Sequence, residues 1–210
     1  MAFLEDAHEK LKKSFITSIR VFSNLIEMRD ASMVGHSRRV AELARTLAQR
    51  MNMSEAEIQD VFIAGLLLDV GKIGLSDHLL EKKFSSMTPE ERSEVVKYPA
   101  KGQMALMALE QLKGAALHIR HHRERFDGAG FPDHLAGFAI PLGARILALC
   151  KDFDEALIGT RSTPRMKHAE AIQLIQDNKG KRYDPLVIDG YPYYLAWCQG
   201  KSLFQTRLKA

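Results

Sequence analysis

Two stretches of this chain concentrate the residue types that bind metal ions and phosphate groups. Residues 68–72 read Leu-Asp-Val-Gly-Lys, and residues 120–132 read Arg-His-His-Arg-Glu-Arg-Phe-Asp-Gly-Ala-Gly-Phe-Pro. Mixed carboxylate and imidazole ligands are typical of iron, manganese or magnesium sites, whereas structural zinc sites are usually rich in thiolates. A pair of such ions polarises a phosphate and generates an attacking hydroxide. The two stretches therefore indicate a candidate site for metal ions and phosphate groups.

Three polar residues, one of them inside the first stretch, fall on apolar faces. His36 shares one helical face with the apolar positions 40, 43 and 47; Asp69 ends the apolar run 62–68; Asp152 follows the apolar positions 146 and 149 at helical spacing. A carboxylate buried without a partner is costly, so each acid requires a metal ion, a cation or hydrogen-bond donors. For His36, a core histidine hydrogen-bonded to the backbone is an equally weighted alternative to a metal ligand.

Helical spacing and helix-start signals recur along the chain, while strand-like alternation is scarce. Ser54 with Glu57 forms a capping-box pattern, and Thr88 before Pro89 is typical of a helix start. The glycine-rich segment 126–137 predicts a loop. We therefore predict an all-α bundle whose helices cover about residues 3–28, a stretch starting at 30 or 32, 54–68, a stretch starting at 88, 102–112, 115–123, 141–157, 167–177 and a stretch starting at 184.

The composition favours one structural domain. Of the 210 residues, 46% are apolar and 27% charged, which is ordinary for a globular protein. We expect residues 1–29 to form an N-terminal helix packed on a helical domain of residues 30–210. Cys150 and Cys198 lie in apolar stretches and not in a CxxC pair, which indicates reduced thiols and no disulfide framework.

The charge pattern argues against DNA binding, because the basic residues behind the formal charge of +4 are interleaved with acids. The longest apolar run, residues 61–68, is too short to cross a bilayer, and charges near the start disfavour a secretory signal. We expect a cytoplasmic protein without membrane insertion.

The two motifs resemble the HD-GYP family of cyclic di-GMP phosphodiesterases, whose signatures read HDxGK and HHExxDGxGYP. The resemblance extends over residues of about 30–191 and implies an HD-superfamily helical bundle with a glycine-rich GYP-type loop. It implies metal-ligand roles for four residues and a phosphate-binding or proton-donating role for Lys72. The implied metal ligands are His36, Asp69 (bridging two ions), His122 and Asp152.

The resemblance also implies contacts with a cyclic dinucleotide. Arg161 matches the arginine of a segment that grips the nucleotide, and Phe131 matches the tyrosine of GYP, for which stacking on a base competes with simple packing of the loop. The ligand-binding residues expected on this basis are Asp127, Gly128, Phe131, Arg123 and Arg161.

Several positions depart from the family pattern. Leu68, Tyr98 and Arg123 stand where the family has histidine ligands, and a guanidinium group has no lone pair to offer a metal ion. Only four of seven expected ligands remain, which argues against a normal two-metal centre. One interpretation is that Arg123 neutralises Asp69. A competing one is that His121, Tyr98 and waters complete the shell of one ion, so the cofactor is either one divalent ion (Fe, Mn or Mg) or none.

These departures predict a degenerate member that acts as a binding or regulatory module in cyclic di-GMP signalling, with weak or no phosphodiesterase activity. Its expected partners are cyclic di-GMP or another cyclic dinucleotide and the proteins of a signalling pathway. Two alternatives stay open, which are an active metal-dependent phosphodiesterase with a rearranged centre and a protein-interaction scaffold that binds no nucleotide. If the chain is an enzyme, Lys72 and Asp69 are its expected catalytic residues.

Overall fold

A computed structural model describes residues 2–29, 33–160 and 163–190. Within these ranges the only β structure consists of two isolated bridges, Thr160 to Thr163 and Lys179 to Tyr183. The all-α prediction is confirmed. The described residues form ten α-helices: α1 Ala2–Glu27, α2 His36–Arg50, α3 Glu55–Leu67, α4 Asp77–Glu81, α5 Pro89–Val95, α6 Tyr98–Leu106, α7 Lys113–His121, α8 Leu142–Ile158, α9 His168–Asp177 and α10 Pro185–Asp189.

The helix starts follow local sequence signals. Ser54 and Glu57 form a complete capping box at the start of α3, and Thr88 and Glu91 form one at the start of α5. The sequence placed the start of α6 too late, at residue 102. This helix begins at Tyr98, because the proline that follows fits the first helical turn. Residues 30–32, where the second helix was expected to begin, lie outside the described residues.

The core is formed mainly by α2, α3, α7 and α8, which pack against one another. Gly65 allows α2 and α3 to pack closely, because a β-carbon there would lie 2.6 Å from the Cα of Ala41 on α2. Cys150 is buried in this core as a free thiol, while Cys198 lies outside the described residues. No helix in the described ranges is long and apolar enough to cross a membrane.

The first helix is tied to the bundle by polar contacts as well as by packing. Ile19 is buried in the core, and the carboxylate of Glu27 accepts hydrogen bonds from the backbone N–H groups of Gly35 and Ser37. The guanidinium of Arg29 donates to three carbonyl oxygens of residues 72–75. Because these carbonyls belong to the turn after Asp69, α1 helps to hold that turn in place.

The turn after α3 is a 3₁₀ helix, Val70–Gly74, that lies against the start of α6. A β-carbon at Gly71 would come within 1.9 Å of the carbonyl oxygen of Tyr98, so only glycine fits. This close approach brings Asp69 and Lys72 beside the Tyr98 ring; the Nζ of Lys72 lies 5.6 Å from the ring centroid.

Candidate ligand-binding pocket

A cavity of about 240 Å³ lies between the end of α1, the turn 70–74, α6 and α8. Its apolar wall includes Leu75, Leu79 and Tyr98, with Phe131 packed against them. The charged side chains on its wall comprise five cations and three acids, a formal excess of two positive charges. These residues are Arg29, Lys72, Lys82, Arg123 and Lys151, and Glu27, Asp69 and Glu155.

Asp69 is buried at this cavity, as its apolar run predicted, and Lys72 neutralises it. The Nζ of Lys72 lies 2.9 Å from Oδ1 of Asp69, and the lysine side chain remains 27% exposed. Burial alone would raise the pKa of Asp69, but the charges of Lys72 and Lys151 hold it far below its usual range. Asp69 is therefore an ionised carboxylate whose counter-charge is supplied by side chains.

Lys151 was missed by the sequence reasoning. It lies on α8 with only 3% of its side chain exposed, and its Nζ is 2.6 Å from Oε1 of Glu155 one turn later. Burial lowers the pKa of Lys151, and Glu155 opposes that shift. The signal that was available is the spacing of Leu147, Lys151 and Glu155, which places all three on one helical face.

His122 is fully buried and both of its ring nitrogens have partners. Nδ1 lies 2.6 Å from the carbonyl oxygen of Ile119, which can only accept, so Nδ1 carries the proton. The hydroxyl of Tyr98 then donates to Nε2 across 2.9 Å. Burial lowers the pKa of His122 to about 3 and raises that of Tyr98 to about 12, so both groups are neutral at pH 7. The lone pair that a metal ion would need is thus occupied.

His36 is also completely buried, as its helical face predicted, and it belongs to a different pair. Its Nδ1 lies 2.7 Å from Oδ2 of Asp154, and Nε of Arg39 donates to the other carboxylate oxygen of Asp154 across 2.7 Å. Although burial favours the neutral acid, hydrogen bonds from His36 and Arg39 hold the pKa of Asp154 below its usual value. The Nε2 atom of His36 has no hydrogen-bond partner, which leaves one imidazole lone pair free.

The structure places Asp152 in another cluster. Its carboxylate accepts hydrogen bonds from Nε of Arg182 and from the hydroxyl of Tyr183, and Nη1 of Arg123 lies 3.5 Å away. The interpretation that Arg123 neutralises Asp69 is wrong for this reason: the ion pair of Arg123 is with Asp152, and that of Asp69 is with Lys72. The inward position predicted for Asp152 is confirmed, because its side chain is 11% exposed. Its partners are Arg182 and Tyr183, and it does not line the cavity beside Asp69.

The expected loop residues separate into two groups. The guanidinium of Arg123 lies 5.6 Å from the centroid of the Phe131 ring, and both side chains line the cavity. Asp127 instead pairs with Arg125 and accepts the N–H of Ala129, and Gly128 adopts a φ of 81°, so both shape the loop and neither lines the cavity. Arg161 lies outside the described residues.

His121 points away from the cavity. Its Nδ1 lies 3.8 Å from Oε1 of Glu124 and 3.5 Å from Oδ2 of Asp133. In the described part of the chain, these three residues are the only group of three or more His, Cys, Asp or Glu residues whose ligand atoms all lie within 4.8 Å of one another. The interpretation that His121 completes an ion shell beside Asp69 is therefore not what the geometry shows.

The model of the HD domain family matches residues 20–187 of this chain. The chain belongs to the HD domain family. A probable cyclic di-GMP phosphodiesterase of Vibrio cholerae is 32% identical over 185 residues, which cover 80% of this chain and 42% of that relative. A cyclic di-GMP phosphodiesterase of Thermotoga maritima is 32% identical over 196 residues, which cover 87% of this chain and 52% of that relative. The HD-GYP resemblance deduced from the two motifs is thereby confirmed.

A solved cyclic GMP-AMP specific phosphodiesterase of Vibrio cholerae matches this HD domain with a TM-score of 0.62 at 21% sequence identity. The match covers 84% of this chain and 50% of that one, and it supports the helical fold. The chain spans about half the length of these relatives.

The side chains at the cavity do not fit the pair of metal ions that the family resemblance implies. No three of the four expected ligands, which are all described, bring their ligand atoms within 4.8 Å of one another. The lone pair of His122 receives the Tyr98 hydroxyl, and Asp69 is already paired with Lys72. Two divalent ions would add about four positive charges to a wall with an excess of cations, which Coulomb repulsion strongly opposes at short range. We therefore derive no chemical step through metal ions at this cavity.

Proposed function

We propose that this HD domain binds cyclic di-GMP, or another cyclic dinucleotide, without hydrolysing it, and acts as a regulatory module in cyclic dinucleotide signalling. The observation that carries the proposal is the excess of buried and half-buried cations on the cavity wall. The names of the relatives, which are phosphodiesterases of cyclic di-GMP and of cyclic GMP-AMP, support the ligand class.

The cations suit a phosphodiester group, which carries one negative charge at neutral pH. Lys72 and Arg123 keep 27% and 23% of their side chains exposed, so both can reach a ligand from solvent. The Nε atom of Arg123 is buried and has no hydrogen-bond partner, which leaves it free to donate to a phosphate oxygen. Charge-assisted hydrogen bonds from arginine to phosphate are among the stronger polar contacts in proteins.

The apolar wall suits part of a purine base. Phe131 stacks on Phe84 with ring centroids 6.3 Å apart, beside the buried Tyr98 ring. Typical ligand pockets occupy roughly 300–1,000 Å³, and this cavity of about 240 Å³ is smaller. It would therefore hold a phosphodiester and one flanking group, with the rest of the cyclic dinucleotide toward solvent.

The side chains that are present support the proposed absence of hydrolysis. Hydrolysis in this chemistry needs a generated hydroxide and neutralisation of the phosphate. In this HD domain Lys72, Arg123 and Lys151 supply positive charge at the cavity, and each of them also pairs with an acid. A cation that is part of a side chain stabilises bound phosphate but does not deliver a hydroxide ion.

Calorimetric titration with cyclic di-GMP in the presence of a chelator tests the proposal. We expect saturable binding that weakens at least tenfold in Arg123→Leu and in Lys151→Met, because each removes a cation from the wall. Lys113→Met is the matched control, since this lysine is 47% exposed on α7 and does not line the cavity. Equal affinity in all four proteins, or release of linear pGpG or GMP on adding manganese or iron, would contradict the proposal.

A second candidate is a protein-interaction scaffold that binds no nucleotide. It is favoured by the outer face of α1, where Val21, Phe22, Leu25 and Met28 are between 52% and 77% exposed. Contiguous apolar patches on a protein surface often mark sites of protein contact. Absence of cyclic dinucleotide binding in the same titration would favour this candidate.

A further inference from the structure

A second polar cluster joins the end of α7 to the glycine-rich loop. His121 is the last residue of α7, Glu124 follows in the turn, and Asp133 lies directly after Phe131 and Pro132. Their ligand atoms all lie within 4.8 Å of one another, and none of the three lines the cavity described above. The cluster is therefore separate from the proposed nucleotide pocket.

Two atoms of this cluster are buried without partners. His121 is 7% exposed and its Nδ1 makes no hydrogen bond; Glu124 is 3% exposed and its Oε2 makes none. Buried polar atoms in native proteins are almost always hydrogen-bonded, so two neighbouring exceptions indicate a missing partner.

The remaining contacts resemble the outer shell of a metal site. Arg120 donates to both carboxylate oxygens of Asp133 across 2.6 Å each, and the N–H of Asp133 donates to Oε1 of Glu124 across 2.7 Å. Ligating carboxylates are themselves usually held by such hydrogen bonds, which fix their orientation. Each carboxylate oxygen keeps a further lone pair for an ion.

The spacing of the donor atoms fits a zinc ion. The Nδ1 of His121 lies 3.5 Å from Oδ2 of Asp133 and 3.8 Å from Oε1 of Glu124. With metal–ligand bonds of about 2.1 Å these separations correspond to angles of roughly 110–130°, close to tetrahedral. We propose that His121, Glu124 and Asp133 bind one zinc-class divalent ion, with water as the fourth ligand, and that the ion clips the loop to the end of α7.

The proposed ion site lies next to residues of the pocket along the chain. The loop that it holds contains Phe131, which lines the nucleotide cavity, and α7 leads directly into His122 and Arg123. An ion at this site would fix the loop through Asp133, two residues beyond Phe131. Its role is structural, and it does not require that the chain bind a cyclic dinucleotide.

Titration of this chelator-treated chain with zinc, and separately with cobalt as a spectroscopic probe, tests the site. We expect one ion per chain and the visible absorption of tetrahedral cobalt. His121→Asn, Glu124→Gln and Asp133→Asn should each weaken binding by more than the roughly 10–100-fold that follows from losing an outer-shell partner. His78→Asn is the matched control, because this histidine is exposed and bound to Glu91 elsewhere.

Glu124→Gln keeps the test decisive even if another substitution prevents folding. Glu124→Gln keeps the oxygen that accepts the Asp133 N–H, so the loop should fold and only the ion site should be lost. Absence of saturable zinc binding in the unaltered protein would overturn the proposal. Binding that survives His121→Asn and Glu124→Gln, or that disappears instead in Asp69→Asn, would place the ion elsewhere and overturn it as well.

Discussion

Replacing Lys151 by methionine should destabilise this HD domain, because Glu155 would lose its buried cation. Breaking a fully buried ion pair costs about 3–5 kcal/mol, and an exposed pair contributes about 0–1 kcal/mol. The side chain of Lys151 is 3% exposed and that of Glu155 is 21% exposed, so this pair lies between the two cases. We expect a loss of about 1–3 kcal/mol in the free energy of unfolding. Methionine is unbranched and of similar length, so little of this loss should come from a cavity.

A double-mutant cycle isolates the electrostatic part of this effect. Glu155→Gln alone should also destabilise, because it removes the negative charge that lies 2.6 Å from the ammonium of Lys151. The combined variant should be more stable than the sum of the single losses by at least about 1 kcal/mol, since removing both charges of a buried pair is often close to neutral. Urea denaturation of the unaltered protein and the three variants at pH 7, with the denaturant slope checked for equality, measures the four free energies of unfolding that the cycle needs.

Additive losses in the two single variants would show that Lys151 and Glu155 do not interact. If the two losses add within about 0.5 kcal/mol, the residues are not coupled, and the assignment of Lys151 as a resident cation of the pocket is wrong. Lys113→Met provides the baseline, because this lysine is 47% exposed and its pairing with Glu110 should contribute little.

Three further predictions concern the pocket walls. Burial lowers the pKa of His122 from 6.5 to about 3, so the stability that neutral His122 contributes should be complete above pH 6.5 and lost as the pH falls toward 3. Urea denaturation across this range should show a shallower decline of the free energy of unfolding in His122→Gln. An equal decline would exclude His122 as the group responsible for the pH dependence. Gly71→Ala should lower the free energy of unfolding by about 1–3 kcal/mol through overpacking, because its β-carbon would lie 1.9 Å from the carbonyl oxygen of Tyr98. Gly74→Ala is the control in the same turn and should be near neutral, because a β-carbon there has no atom within 4 Å. Arg123→Leu should lower the free energy of unfolding by no more than about 1 kcal/mol, since Asp152 keeps its hydrogen bonds from Arg182 and Tyr183. A larger loss measured by chemical denaturation would show that Arg123 is the main counter-charge of Asp152.

Local signals predicted the helices well because the physics behind them is local. The capping boxes at Ser54 and Thr88 satisfy backbone N–H groups with side chains three residues away, so neighbouring sequence contains all that is needed. The inward positions of His36 and Asp69 were likewise predictable, since each belongs to an amphipathic or apolar run that can only face the core.

The ion pairs inside the pocket could not be predicted in the same way, because they depend on which helices pack together. Lys151 looked like an ordinary surface lysine, and only the packing of α8 against its neighbours shows that it is buried. Asp152 and Lys151 are adjacent in sequence, but Lys151 lines the cavity whereas Asp152 pairs with Arg182. An error of one residue on this helix therefore exchanges an acid for a cation. The pairing of Arg123 with Asp152 in place of Asp69 has the same origin.

The most direct test of the central claim is one calorimetric titration of this HD domain with cyclic di-GMP in chelator, followed by addition of manganese or iron and analysis of the recovered nucleotide. The account predicts saturable binding before the metal is added, and intact cyclic di-GMP afterwards. Binding that appears only with metal, or conversion of the nucleotide to linear pGpG or GMP, would contradict it.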